Sequence, residues 1–437
     1  MVMSRWMGAA VLVGIFLVGG CGDGTPTSSN EDLLPGVSTH EVIIPYAEFA
    51  EGVSLYSGFG SPANLAAPAV AHSYKEELEA RALLNFATPP RTVRVPEPGD
   101  TVTVADSTFV PVSGTLVLLV DALDHVEGTT VELALGALSI PFDHRTASWE
   151  MAVDTLGGES PWPEPGAGTA REVDVVEWDP AEGDTVRFQV DSVTATEWAV
   201  RDVAERGSAR IESRTEGTLL QVREATFVAD VRSDINPDTL VTFSSEWERT
   251  TVVYTPSTQA LGPELLIGGA PAWRTYLSIA PPVRLDPGAD YCEGIPCPVD
   301  LTAENLIYAG LVLTTSETLL GGFQPVDSLR VQARAVISPE RVPRSPLGPP
   351  VQSSPRVIPP AAFGVDGATT VEISMSGYVR QLLRDSSGDE DPPAGTLAIF
   401  SAVEAGALQY GTFRGPGQEG EPALRLIFTL FEGVRLP

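Results

Sequence analysis

Over most of its length the chain places apolar and polar residues in alternation, in short runs separated by proline and glycine. TVTVADSTFVPV (101–112), GTLVLLVDAL (114–123), DTVRFQVDSV (184–193), RTTVVYT (249–255), DSLRVQARAVI (327–337) and ALRLIFTLF (423–431) all carry this pattern. A strand sends successive side chains to opposite faces, so a period of two predicts antiparallel sheets with a buried face. A helical period is nearly absent, and the 38 prolines suit loops and sheet edges better than helices. The fold class expected is all-β, built as antiparallel β-sandwiches.

One segment breaks the alternation. After Arg5 an unbroken apolar stretch runs from Met7 to Val18 and ends in Gly19, Gly20 and Cys21. A positive start, an apolar core too short to span a bilayer and a small-residue end make a secretory signal over residues 1–20. Val18-Gly19-Gly20-Cys21 resembles the bacterial lipobox, which implies that Cys21 is acylated and becomes the new N-terminus. Several acyl chains hold a protein stably where one does not. Gly22 after the cysteine, rather than an aspartate, resembles outer-membrane sorting. Residues 21–41 hold the lipidated cysteine and a Gly, Ser, Thr, Pro and acid-rich tether. The expected place is the bacterial cell envelope, at the membrane through the lipid.

Composition narrows the partners. A hydrophobic fraction of 43% with 19% charged residues describes a globular chain. The formal net charge of −31 repels nucleic acid and anionic headgroups and suits solubility on a crowded surface. Of the three cysteines, Cys292 and Cys297 remain after Cys21, close together in YCEGIPCPVD. In an exported chain such a pair reads as a disulfide clipping a small loop. Metal binding is not expected, because the four histidines (40, 72, 125 and 144) are scattered.

Similar blocks recur in the same order in both halves. ARALLNFATPP (80–90) matches WRTYLSIAPP (273–282), Gly114-Thr-Leu-Val-Leu-Leu matches Ala309-Gly-Leu-Val-Leu-Thr, and TVRFQV (185–190) matches TVEISM (370–375). Gly217-Thr-Leu-Leu matches Gly395-Thr-Leu-Ala, and Phe243 before RTTVVYT matches Phe413 before ALRLIFT. Two homologous domains are expected, 42–255 and 258–434. Arg81 should then correspond to Arg274 and Gly217 to Gly395, with Leu83 and Phe86 in one core and Tyr276 or Leu277 and Ile279 in the other.

These blocks resemble DNRLRE-type domains, jelly-roll modules of bacterial surface proteins related to carbohydrate-binding modules. Ala82-Leu83-Leu84-Asn85-Phe86 is similar to the family's LLRF strand, Tyr378 to Arg384 to its short helix, and Phe413-Arg414-Gly415 with Pro422-Ala-Leu-Arg-Leu to its closing strand. Asn85 stands where the family has arginine, and the SRE signature is reduced to Arg414-Gly415-Pro416. The resemblance implies two tandem jelly rolls and speaks for fold more than for function.

No nucleotide, metalloprotease, serine-elbow or paired CxxC motif is present. Asp143-His144 and His125 have no elbow serine and read as structural. The run Asp385 to Asp391 could offer oxygens to Ca²⁺ but lacks ligand spacing and reads as a solvated loop. Tryptophans are the remaining candidate contacts, because aromatic faces pack on sugar rings. Trp162, flanked by prolines in SPWPEPG, is expected on an exposed loop and is the ligand-contact candidate, whereas Trp149 and Trp273 read as core or edge. The expected function is non-catalytic binding of a glycan or another envelope component without a cofactor. A structural spacer is the alternative, and a glycan-active enzyme the third reading.

Overall fold

A computed structural model describes residues 37–57, 67–256 and 262–431, apart from internal stretches at 77, 100–101, 156, 203–204, 270–272, 287–291, 293, 319–322, 366, 386–394 and 405–408. The signal, Cys21, most of the tether and most of the acidic run therefore lie outside the described residues. Residues 41–428 form one compact unit and the terminal pieces another. In the latter, residues 37–40 are extended, with Ser38 Oγ and His40 Nε2 2.9 Å apart.

The alternating runs become antiparallel strands throughout, so the all-β reading holds. In the 69–254 half a nine-stranded sheet runs in the order Arg171–Trp178, Val131–Leu138, Ser208–Ser213, Leu78–Phe86, Leu240–Tyr254, Thr218–Arg232, Val110–Asp124, Thr185–Val190. Ala69–Tyr74 pairs beside this path. The two end strands meet through the Asp174 carboxylate, which accepts from the Gln189 amide at 2.6 Å. The sheet is thus curled, and every strand of the path feeds one interior, from Leu84 and Phe86 through Leu116, Phe188 and Phe227 to Trp178 and Ile211. The short helix Ser192–Trp198, capped by the Asp191 side chain, adds Trp198, whose ring centroid lies 4.8 Å from Phe86 and 5.2 Å from Phe227.

Among its described residues the second half has two large sheets and a two-stranded one that pairs Arg284–Leu285 with Val299–Asp300. One large sheet contains Ala423–Phe431, Leu306–Ser316, Tyr410–Phe413 and Leu265–Gly268 in that order, with Thr370–Ser374 also on Leu306–Ser316. The other runs Ala50–Tyr56, Arg274–Ile279, Gly395–Ser401, Leu329–Val336, Leu347–Pro350. They face each other closely: a Cβ on Gly411 of the first would lie 2.8 Å from the Leu329 side chain of the second and 2.4 Å from the Phe363 ring. The helix Ser376–Asp385 buries Val379, Leu382 and Leu383.

Strand neighbours correct the expected division. Residues 50–56 pair with 274–279, Leu55 opposite Thr275, and Glu41 is ion-paired with Arg425 at 2.8 Å. The segment 41–56, placed by the sequence in the first domain, belongs to the sheets of the second half. The repeated blocks keep some neighbours and not others: 185–190 pairs with the Gly114 strand as 370–374 pairs with the Ala309 strand, but two further blocks differ. The Gly395 strand pairs directly with the Arg274 strand, whereas the Gly217 block leads into a strand separated from that of Arg81 by Leu240–Tyr254. Local alternation sets the strands, but long-range pairing sets their order.

The halves share an apolar junction in which Tyr74, Leu78, Leu219 and Tyr254 meet Trp273, Phe323 and Tyr410. Tyr74 and Phe323 pack edge to face at 5.9 Å.

Candidate functional site

Beside this junction lies a cleft of about 460 Å³, with walls from both halves. Its first wall is the turn that follows Val131–Leu138. The Asp143 side chain accepts from the Arg145 amide at 2.8 Å and its carbonyl accepts from the Ala147 amide at 2.8 Å, closing the turn. The Ser148 amide then donates to the Met151 carbonyl at 2.9 Å, which leaves Trp149 and Glu150 at a hairpin tip.

Trp149 is half-buried and lines the cleft. The Arg81 guanidinium lies 5.0 Å from its ring centroid and donates to the Gly166 carbonyl at 2.7 Å. Gly166 has φ +69°, and a Cβ there would come within 2.6 Å of the Trp149 ring. Only glycine satisfies both the backbone and the approach, so the indole is fixed from behind.

Trp162 corrects the sequence reading. It is 4% exposed, packed with Leu83, Ala147, Ala152 and Val253. Its indole N–H donates to the Ser148 carbonyl at 2.9 Å and its amide to the Glu150 carbonyl at 3.0 Å. A buried indole finds a partner for its N–H, and the partner here is the hairpin that carries Trp149. Trp162 cannot stack on a ligand, and it supports the residue that can. Flanking prolines signalled a loop, but nothing local showed the loop folding back.

The second wall comes from Tyr56, Arg274 and the turn Pro343 to Pro346. Arg274 is held from behind by Glu404, with bonds of 2.7 and 2.6 Å to its two carboxylate oxygens. The Glu404 side chain is fully buried. Burial raises its carboxyl, and the Arg274 charge and hydrogen bonds pull the other way without cancelling the rise. The two arginines of the repeated block thus both serve the cleft, Arg81 behind the tryptophan and Arg274 in the lining.

One charge contact crosses between the walls: Arg344 Nε lies 2.9 Å from Asp154 Oδ1. Arg344 is thus the partner of this oxygen, which is itself shut off from solvent. Burial raises the Asp154 carboxyl above its ordinary value of 3.8; Arg344 opposes the rise, and Glu159 adds to it. Beyond Arg145 a shallower hollow is lined by Phe142, His144, Val153, Glu248 and Arg249. Burial lowers the His144 imidazole, more than the nearby Asp143 charge raises it, and leaves the ring neutral at pH 7. Asp143 is its near carboxylate, 3.9 Å away.

Of the other expected sites, Cys292 and Cys297 are joined as a disulfide with Cα atoms 6.1 Å apart. Cys21 lies outside the described residues. His125 sits in a separate hollow with Trp178 and Asp179. Among the described residues no group of three or more His, Cys, Asp or Glu has an arrangement that could hold a metal ion.

No family model and no curated protein matches the chain. Among solved structures it has a similarity to the structure of the Macrobrachium rosenbergii nodavirus, at 7% identity over 98% of this chain and 97% of that chain, with a TM-score of 0.15. A score that low bears on neither fold nor function.

Proposed function

We propose that this chain is a non-catalytic lipoprotein of the bacterial envelope, anchored through Cys21 in the outer membrane and binding a glycan or another envelope component in the cleft between its halves. The observation that carries the binding reading is Trp149, an aromatic ring fixed by Arg81 and Gly166 yet still lining an accessible cleft among polar groups. Concave sites with a rigid aromatic and a few convergent polar groups are the usual form of a small-ligand site. The anchor rests on the lipobox-like sequence Val18 to Cys21. A spacer role draws on a different feature, the apolar junction that docks the halves.

Two measurements test the proposal. Cys21→Ser should move the protein from the membrane fraction to the soluble one, and wild type should carry the mass of its acyl groups. A glycan array probed with the Cys21→Ser chain should give signals that Trp149→Ala abolishes. A protein that ignores every glycan and stays in the membrane fraction without Cys21 would remove both parts of the reading.

A further inference from the structure

Within the glycan reading, on which it rests, we propose that the cleft selects a neutral saccharide and grips two neighbouring hydroxyls between Asp154 and Arg344 while a sugar face packs on Trp149. The two polar groups come from different halves and are chemically opposite. An ionised carboxylate only accepts hydrogen bonds and a guanidinium only donates them. A hydroxyl does both, so a vicinal diol presents the matching pair: one O–H donates to Asp154 while its neighbour accepts from an Arg344 N–H.

Arg344 Nε already holds Asp154 Oδ1, at 2.9 Å and away from solvent. A carboxylate has a second oxygen and a guanidinium has further N–H groups. A ligand diol would use those, since the Arg344 side chain is 47% exposed at the cleft. The peptide N–H of Asp154 donates to Thr146 Oγ1 at 3.1 Å, so the residue is held in place independently of that ligand.

Charge favours a neutral ligand. The lining carries Arg145, Arg274 and Arg344 against Glu150 and Asp154, but Arg274 is already matched by Glu404. The cleft is therefore close to balanced within a chain of net charge −31, which repels polyanions at long range. The groups that bear on Asp154 are Arg344 and Glu159, with Arg145, Glu150, Arg274 and Tyr56 in the same lining. An ionised carboxylate accepts a ligand hydroxyl more strongly than the protonated acid, so affinity should fall as pH is lowered through the raised Asp154 value.

Titration calorimetry of the Cys21→Ser chain with cellohexaose, maltohexaose and mannohexaose, and with hexagalacturonate as the charged probe, tests this. At least one neutral probe should bind, with hexagalacturonate weaker by about tenfold or more, a factor in keeping with one charged hydrogen bond misplaced. Asp154→Asn, Arg344→Met and Trp149→Ala, each checked for an unchanged thermal transition, should weaken the neutral probe by about the same factor. Acidification should weaken wild type more than Asp154→Asn, because only wild type has the Asp154 carboxylate to lose. Tighter binding of hexagalacturonate, or neutral binding indifferent to Asp154→Asn, would overturn the inference and leave the glycan reading standing. Failure of every oligosaccharide would remove both.

Discussion

Trp149 and Trp162 lie on the same folded loop and divide its work. Trp149 faces the cleft, and Trp162 is inside, bonded through its indole N–H to Ser148. Trp162→Ala should therefore cost about 3–5 kcal/mol in stability, the usual range for emptying a buried tryptophan site, while Trp149→Ala should change stability by less than about 1 kcal/mol. Urea titrations of the two variants decide it, and equal losses would mean that the roles are misassigned. The sequence reading put Trp162 in contact with ligand and Trp149 in the core or at an edge, and the structure reverses the two, because exposure depends on what packs behind each. A local sign of the site does exist in Gly166: a glycine held at positive φ against an indole marks a place where backbone and aromatic ring must touch. Asp154 left no such sign among 58 acidic residues, since its character comes from Arg344 and burial, both contributed by distant chain.

Among the elements, the Arg-x-Leu-Leu block was legible as a strand, but Leu83 and Phe86, expected in one core, lie on opposite faces. Leu84 and Phe86 point into the curled sheet while Leu83 packs on the opposite side with Ala147 and Trp162. Tyr276, Leu277 and Ile279 are buried as expected. What could not be read was which strands lie beside them, because antiparallel pairing over long separations depends on register and closure of the whole sheet. The Arg274–Glu404 pair shows the same limit, joining residues at opposite ends of the second half. Glu404→Gln should destabilise the chain by about 3 kcal/mol or more by leaving the Arg274 charge buried without its counterion. The double variant Arg274→Met with Glu404→Met should recover most of that loss, since apolar replacement of a whole buried pair is often neutral. Thermal unfolding of the three proteins checks the expectation. A double variant as unstable as the single one would show that the pair itself holds the strands together.

For the whole molecule, the all-β class was legible in the sequence, but the segment 41–56 was grouped with strands it does not pair with. That segment alternates like its neighbours, and only its partners, Arg425 for Glu41 and Thr275 for Leu55, reveal where it belongs. Deleting residues 41–56 should therefore loosen the second half and spare the first. Hydrogen exchange should rise at 274–279 and stay unchanged at 110–124, which lies inside the other sheet. Faster exchange at 110–124 alone would contradict the assignment.

The pairing of Leu55 with Thr275 also bears on the order of folding. In an exported chain that emerges N-terminus first, residues 50–56 come out early, yet their partner strand follows more than two hundred residues later. In the interval the 69–254 half can complete its own curled sheet, since every strand on that path is already available. The early segment meanwhile has no β-partner, and closing so long a loop is slow. Its sequence, AEGVSLY, carries an acid and a glycine and presents no fully buried position even when paired. Such a strand can wait in water with little tendency to associate with other chains.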